Sequence, residues 1–205
     1  MSHTDDQGRT ERHNARMARK KEIMDARIAA ADEHRGVFIV NAGNGKGKSS
    51  SGLGMVMRAL GHDMQVGVVQ FIKGAMETGE ERFLRRFPEQ VQFHAMGEGY
   101  TWNTQDRERD VARATEAWAK AREMLQDPAI GLVLLDELNI ALKYKYLDVD
   151  QVLDDILARP LHQHVIVTGR GVPDAVVEAA DTVTDMTLVK HAFAAGIAAQ
   201  PGVEW

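Results

Sequence analysis

From Gly43 to Ser49 the chain reads GNGKGKS: three glycines at alternate positions, two lysines and a hydroxyl within seven residues. Gly43, Gly45 and Gly47 let the backbone adopt left-handed or strained dihedrals, so that successive N–H groups, that of Asn44 included, can turn toward one anion. Lys48 supplies a point charge suited to phosphates, and Lys46 makes the loop doubly basic. The Ser49 hydroxyl is the right ligand for Mg²⁺, and Ser50 follows in what reads as the first turn of a helix. The GxxxxGK[ST] spacing asks for glycine at position 42, where this chain has Ala42.

A second set of chemical groups lies downstream. Asp136 and Glu137 follow the apolar run GLVLL, and two carboxylates at the end of a buried strand are the expected acidic partner for a phosphate loop and its metal. The alternative is that Asp136 only caps the next helix. Arg170, in the GRG that follows HVIVT, is placed to reach a phosphate or to pair with a surface acid. Tyr100 and Trp102 sit in MGEGYTWNTQ, a glycine-marked connection where large aromatics signal either a binding surface or packing of the loop onto its own domain.

The elements that must position these groups follow from periodicity. Apolar or alternating runs at 37–40, Gln65–Phe71, Val91–His94, Gly131–Leu135, His164–Thr168 and Thr182–Met186 read as six strands, the last at a less buried edge. Helical patterns separate them: Lys48 to Leu60 closed by Gly61, a long helix with Val111, Ala114, Trp118, Ala121 and Leu125 on its core face, Val149 to Ala158, and Asp174 to Ala180. Lys73 to Glu81 reads as a polar loop. Alternating strands and helices predict an α/β domain with a mostly parallel sheet, whose ligands lie beyond the carboxyl ends of the strands.

Composition narrows the class. The 205 residues suit one α/β domain, 36–205, preceded by a basic arm, 1–35. From Arg9 to Arg27 seven Arg or Lys stand against three acids, and the apolar stripe is thin, so this arm is expected either to stay solvated and flexible or to order over an anionic ligand or a partner subunit. A net charge of −5 argues against general nucleic-acid or membrane binding, and no apolar run approaches the length of a span. With no cysteine there is neither a disulfide framework nor a thiolate metal site, and a cytoplasmic location is the expectation.

Taken together, GNGKGKS, VGVVQFIKG, GEGYTWNTQDRE, LLDELNIALKYKYL, VIVTGRG and VKHAFAAGIAAQ, in this order, resemble the P-loop type of cob(I)alamin adenosyltransferase, also called corrinoid adenosyltransferase. The resemblance spans nearly the whole chain. It implies a RecA-like P-loop NTPase fold, a homodimer, and transfer of the adenosyl group of ATP to cob(I)alamin or cob(I)yrinic acid a,c-diamide with release of inorganic triphosphate. It further implies phosphate contacts from Asn44 to Ser49 and metal contacts, for Mg²⁺ or Mn²⁺, from Ser49 with Glu137 or Asp136. By the same resemblance Tyr100 and Trp102 press on the lower face of the corrin and displace its axial ligand, the basic arm folds over the site, and a reductase donates the electron that makes Co(I). The family often has phenylalanine where this chain has Tyr100. Two other classes fit the bare motifs: a P-loop ATPase switch, marked by orthophosphate release, and a non-catalytic corrinoid carrier, marked by binding without turnover.

Overall fold

The computed structural model describes residues 3–72, 77–96 and 106–204, which fall into two compact units, Met1–His34 and Arg35–Trp205. The first is a single helix, α1 (His3–Ala30). Its length exceeds what the thin apolar stripe led one to expect, and the reason is propensity: from Arg9 onward there is no Gly or Pro, and Ala, Arg, Lys and Glu predominate. Lys21 and Asp25 add an exposed pair one turn apart, at 3.9 Å. Met17, Ile23, Met24 and Ile28 remain exposed on it.

The second unit is built on six strands: β1 (Phe38–Ala42), β2 (Gln65–Gln70), β3 (Val91–Ala95), β4 (Ile130–Asp136), β5 (His164–Thr168) and β6 (Thr182–Asp185). All pairings are parallel, in the order β3-β2-β4-β5-β1-β6. β5 lies between the strand that feeds the glycine loop and the strand that ends in Asp136, which is the arrangement of the RecA-like P-loop class. Every carboxyl end therefore opens onto one edge of the sheet.

Side-chain alternation divides the core into two layers. Val133 and Leu135 of β4, with Val165 and Val167 of β5, pack under helices α4 (Arg107–Gln126), α5 (Leu138–Lys143), α6 (Val149–Leu157) and α7 (Asp174–Ala179). Leu132, Leu134 and Ile166 face the other way, toward α2 (Lys48–Leu60) and α3 (Gly79–Leu84). In α4 the expected Ala114, Ala121 and Leu125 are buried, Ala117 and Met124 join them, and Trp118 is half-buried with its indole N–H donating to Asp155 Oδ2 at 3.1 Å.

Two local expectations need correction. Gly61 does not close α2 in the left-handed form; it stays right-handed, and Asp63 takes the positive φ of 57° instead. Met64 N–H then bonds Ala59 O and Asp63 N–H bonds Leu60 O, a Schellman closure two residues later than the glycine. The polar stretch after β2 also ends earlier than expected: Thr78 caps α3 through the Glu81 N–H, so Gly79 to Glu81 are helical. Six-residue helices such as α3 and α5 carry too few turns for periodicity to reveal them.

At the opposite edge of the sheet Asp181 joins the starts of β1 and β6. It accepts from Arg35 Nη1 and Nη2 at 2.7 and 2.6 Å and from the Phe38 N–H at 2.8 Å. The Arg35 guanidinium, with help from the Phe38 N–H, holds the Asp181 carboxyl down at about 2 from an ordinary 3.8. Because the folded value is the lower one, this stability is present above about pH 4 and disappears as pH falls toward 2. Asp181→Asn is expected to cost about 1–2 kcal/mol at pH 7. Urea midpoints from pH 7 to 2 check this: the gap between wild type and variant should close at the acid end, and a gap independent of pH would contradict the assignment.

Candidate functional site

The glycine loop leaves β1 one residue later than the motif spacing implies. Ala42 is still strand, buried and in register with Asp185 of β6, and Met186 N–H bonds its carbonyl at 2.9 Å. The turn therefore opens at Gly43, with φ of 96°. A side chain at Gly43 would collide with Asp185 and Met186, and one at Gly45 with Met186 and Thr187, because the chain leaving β6 lies against the loop and the Gly45 N–H bonds Met186 O at 2.6 Å. Gly47 has room for a side chain but not the conformation: its φ is 114° as it opens α2 with no side-chain cap. The first amides of α2 are left pointing out of the helix end, at the positive pole of its dipole.

Lys48 is buried, and its Nζ donates to Gly45 O at 2.6 Å, so the ammonium is folded back into its own loop. Burial pushes its pKa down; the Glu137 carboxylate is the strongest opposing influence, Arg170 pushes in the same sense as burial, and Asp136 and Asp185 oppose it. Charges from three distant stretches of sequence thus all act on one lysine. Arg170 is exposed, on the turn between Gly169 and Gly171. Asn44, Lys46 and Ser50 are exposed, and Ser49 is half-buried beside a cavity of about 250 Å³ that Ser50, Glu80, Val203 and Glu204 also line.

The two carboxylates have different surroundings. Asp136 is fully buried, accepting from Gln70 Nε2 at 3.1 Å and from Thr168 Oγ1 at 2.7 Å. It does not cap α5; that position belongs to Glu137, which has a left-handed φ of 64° and no side-chain cap bond. The Glu137 N–H donates to Thr168 Oγ1 at 2.9 Å, and its Oε2 lies beside Gly169, where a β-carbon would stand 3.3 Å from it. Glu137 is thus the half-buried carboxylate, and Asp136 the fully buried one.

Sequence reasoning missed the residues that frame this pair. Asn41, Gln70 and Thr168 lie at or one residue before the carboxyl ends of their strands, all three are buried like Asp136, and the strand registers align the four in one row, Gln70-Asp136-Thr168-Asn41. The signal was present as a polar residue at or next to the end of each of four strands, but only register shows that they are neighbours. Asn139 is also buried and donates to Gly169 O at 3.3 Å. A further missed contact is the pair of Lys46 Nζ and Glu204 Oε2 at 2.6 Å, which sets a carboxylate from the end of the chain on the loop's outer lysine and lowers the Glu204 pKa. Tyr100 and Trp102 lie outside the described residues. Among the described residues no cluster of three metal-binding side chains occurs, and no helix is long and apolar enough to cross a membrane.

Comparison with known proteins identifies the family. Residues 34–205 match the family model described as ATP:corrinoid adenosyltransferase BtuR/CobO/CobP, and residues 1–28 match that of the cob(I)alamin adenosyltransferase N terminal segment. A corrinoid adenosyltransferase of Pseudomonas aeruginosa is 65% identical over 195 residues, covering 95% of this chain and 96% of that protein. Corrinoid adenosyltransferases of a Sinorhizobium species and of Escherichia coli K12 are 48% and 47% identical, each across 95% of this chain and 92% and 98% of theirs. With its glycine loop, buried polar row and similarity over nearly the whole chain, this chain belongs to the ATP:corrinoid adenosyltransferase family.

Proposed function

We propose that this protein transfers the 5′-deoxyadenosyl group of ATP to the cobalt of a reduced corrinoid and releases inorganic triphosphate. The observation that carries the reading is the convergence of Glu137, Asp136 and Arg170 on the buried Lys48 of a glycine loop, in a chain of this family. In the reaction the electron pair of Co(I) attacks the ribose 5′ carbon; a cobalt–carbon bond forms, the carbon–oxygen bond breaks, and that bond's electrons leave with the triphosphate. The negative charge on the departing oxygen is what the protein must stabilise. The loop amides at the positive end of α2 are pre-oriented donors for it, and Lys48 adds a charge that can turn to meet it.

In this reading Lys48 exchanges its bond to Gly45 O for a phosphate oxygen, and Arg170 swings in from its exposed turn. The donor set around the loop, a Ser49 hydroxyl and the carboxylates of Glu137 and Asp136, is all oxygen and fits Mg²⁺ or Mn²⁺ rather than a softer ion. Such an ion would be held by Ser49 and Glu137 and would offset triphosphate charge; Asp136, already accepting from Gln70 and Thr168, is the weaker ligand. Tyr100 and Trp102 are assigned by similarity to the corrin face, where excluding the axial ligand eases reduction to Co(I). The supply of Co(I) calls for a transient, low-potential electron donor.

The same reading includes a cytoplasmic homodimer, in which the basic arm of one subunit serves the nucleotide or corrinoid of its partner. Apolar side chains exposed on α1 and between Leu188 and Val203 support an assembly larger than one chain. Trypsin cleavage within 9–27 should slow when ATP and corrinoid are added; an unchanged rate would remove the arm from the reading.

The direct test is anaerobic: chemically reduced cob(I)alamin, ATP and Mg²⁺, with the light-sensitive cobalt–carbon product followed spectrally and the phosphate product identified. Adenosylcobalamin with triphosphate is the expected outcome; orthophosphate without alkylation would indicate an ATPase switch, and binding without turnover a carrier. Glu137→Gln should lower turnover on the order of 10²-fold while leaving the thermal midpoint within a few degrees. Glu204→Gln, which frees Lys46, should tighten ATP binding by about threefold, the scale of a partly exposed ion pair. Weaker binding in that variant would mean that Glu204 helps to hold the nucleotide.

A further inference from the structure

We propose that Thr168 is a positioning residue, which fixes the Glu137 carboxylate at the phosphate loop by holding the Glu137 main chain. The inference rests on the metal-nucleotide reading above and adds to it a residue that touches no substrate.

Hydrogen-bond bookkeeping leaves the hydroxyl one arrangement. The Glu137 N–H can only donate, so Thr168 Oγ1 must accept from it, at 2.9 Å. The single hydroxyl proton is then committed to Asp136 Oδ1 at 2.7 Å. Gln70 Nε2 donates to the other oxygen of Asp136 at 3.1 Å. A directed chain runs from the sheet into the turn: Gln70 and Thr168 anchor Asp136, and Thr168, so anchored, receives Glu137. Thr168, Asp136 and Gln70 are all essentially inaccessible to water, so none of these bonds is exchanged for a solvent bond at low cost.

Backbone strain shows why the hold is needed. Glu137 sits at φ 64°, a conformation that costs a non-glycine residue on the order of 1 kcal/mol. Relaxing that turn would rotate the side chain away from Lys48, whose strongest carboxylate influence is Glu137. β5 runs between the loop strand and the acidic strand, so a hydroxyl at its end is well placed to act on the turn after β4. Gly169, with no β-carbon, completes the arrangement by leaving space beside Glu137 Oε2.

The test uses Thr168→Val, which keeps the branched shape and removes the hydroxyl, and Thr168→Ser, which keeps the hydroxyl. Thr168→Ala reports the same loss should valine disturb the packing. Two readouts are needed: hydrogen exchange of the Glu137 amide in the protein alone, and Mn²⁺ binding at saturating ATP by electron paramagnetic resonance. Thr168→Val is expected to expose the Glu137 amide to exchange and to weaken ATP-linked Mn²⁺ binding by about tenfold, with ATP binding in chelator unchanged. Thr168→Ser should lie within about twofold of wild type. Glu137→Gln should show a similar metal loss, and adding Thr168→Val to it should change little further, since the two act through one carboxylate. A protected Glu137 amide in the valine variant, wild-type Mn²⁺ binding in it, or losses that add fully in the double variant would overturn the proposal. Absence of ATP-linked Mn²⁺ binding in wild type would overturn the metal reading on which it rests, and the amide-exchange result separates that failure from a failure of Thr168 itself.

Discussion

Binding a triphosphate requires fixed charges near the protein interior, where each must be held by other polar groups or be lost to desolvation. This fold meets the constraint by placing a buried polar residue at one level on four adjacent strands, at the carboxyl end or one residue before it: Gln70, Asp136, Thr168 and Asn41. Below that level the strands are apolar and covered on both faces; above it lie the loop, the left-handed glutamate and the arginine turn. The row is the boundary between core and chemistry. An all-parallel sheet is what makes it possible, because only then do all carboxyl ends share one edge.

The loop shows the same dependence on neighbours. Two of its glycines are required by the chain leaving β6, which comes too close for any β-carbon, and the third by its dihedral alone. The departure at Ala42 is explained by where β1 ends: the position lies inside the sheet, paired with Asp185, so alanine packs where a loop glycine would only weaken the strand. The reaction of this family differs from a hydrolysis in one respect. Its nucleophile is the substrate's own cobalt, so no residue is needed to activate water, and the protein's contribution is position and charge.

The fold was legible where burial imposes a pattern. Six strands, their order of appearance and the main helices could be read from apolar runs, since strands covered on both faces admit little else. The glycine loop and the Asp136-Glu137 pair were legible because phosphate chemistry restricts residue types locally. What could not be read depends on register or on the far end of the chain. Thr168 and Gln70 look like ordinary strand-terminal polar residues until β4 is set between β2 and β5. The pairing of Lys46 with Glu204 spans 158 positions and leaves no periodic trace. Asp63, rather than Gly61, takes the left-handed turn after α2, a choice fixed by which carbonyls the Schellman closure must satisfy. The 28-residue length of α1 was missed because propensity, not amphipathicity, sustains it.

In the proposed reaction the site is built around the leaving group: three linked phosphates supply the binding, and the nucleoside is carried along. Calorimetric titration of the protein with inorganic triphosphate and Mg²⁺, in competition with ATP and separately with adenosine, tests it most directly. Triphosphate should bind within about tenfold of ATP and exclude it, while adenosine alone should displace neither. If adenosine competes with ATP and triphosphate does not, the loop is not the principal source of binding energy and the account fails.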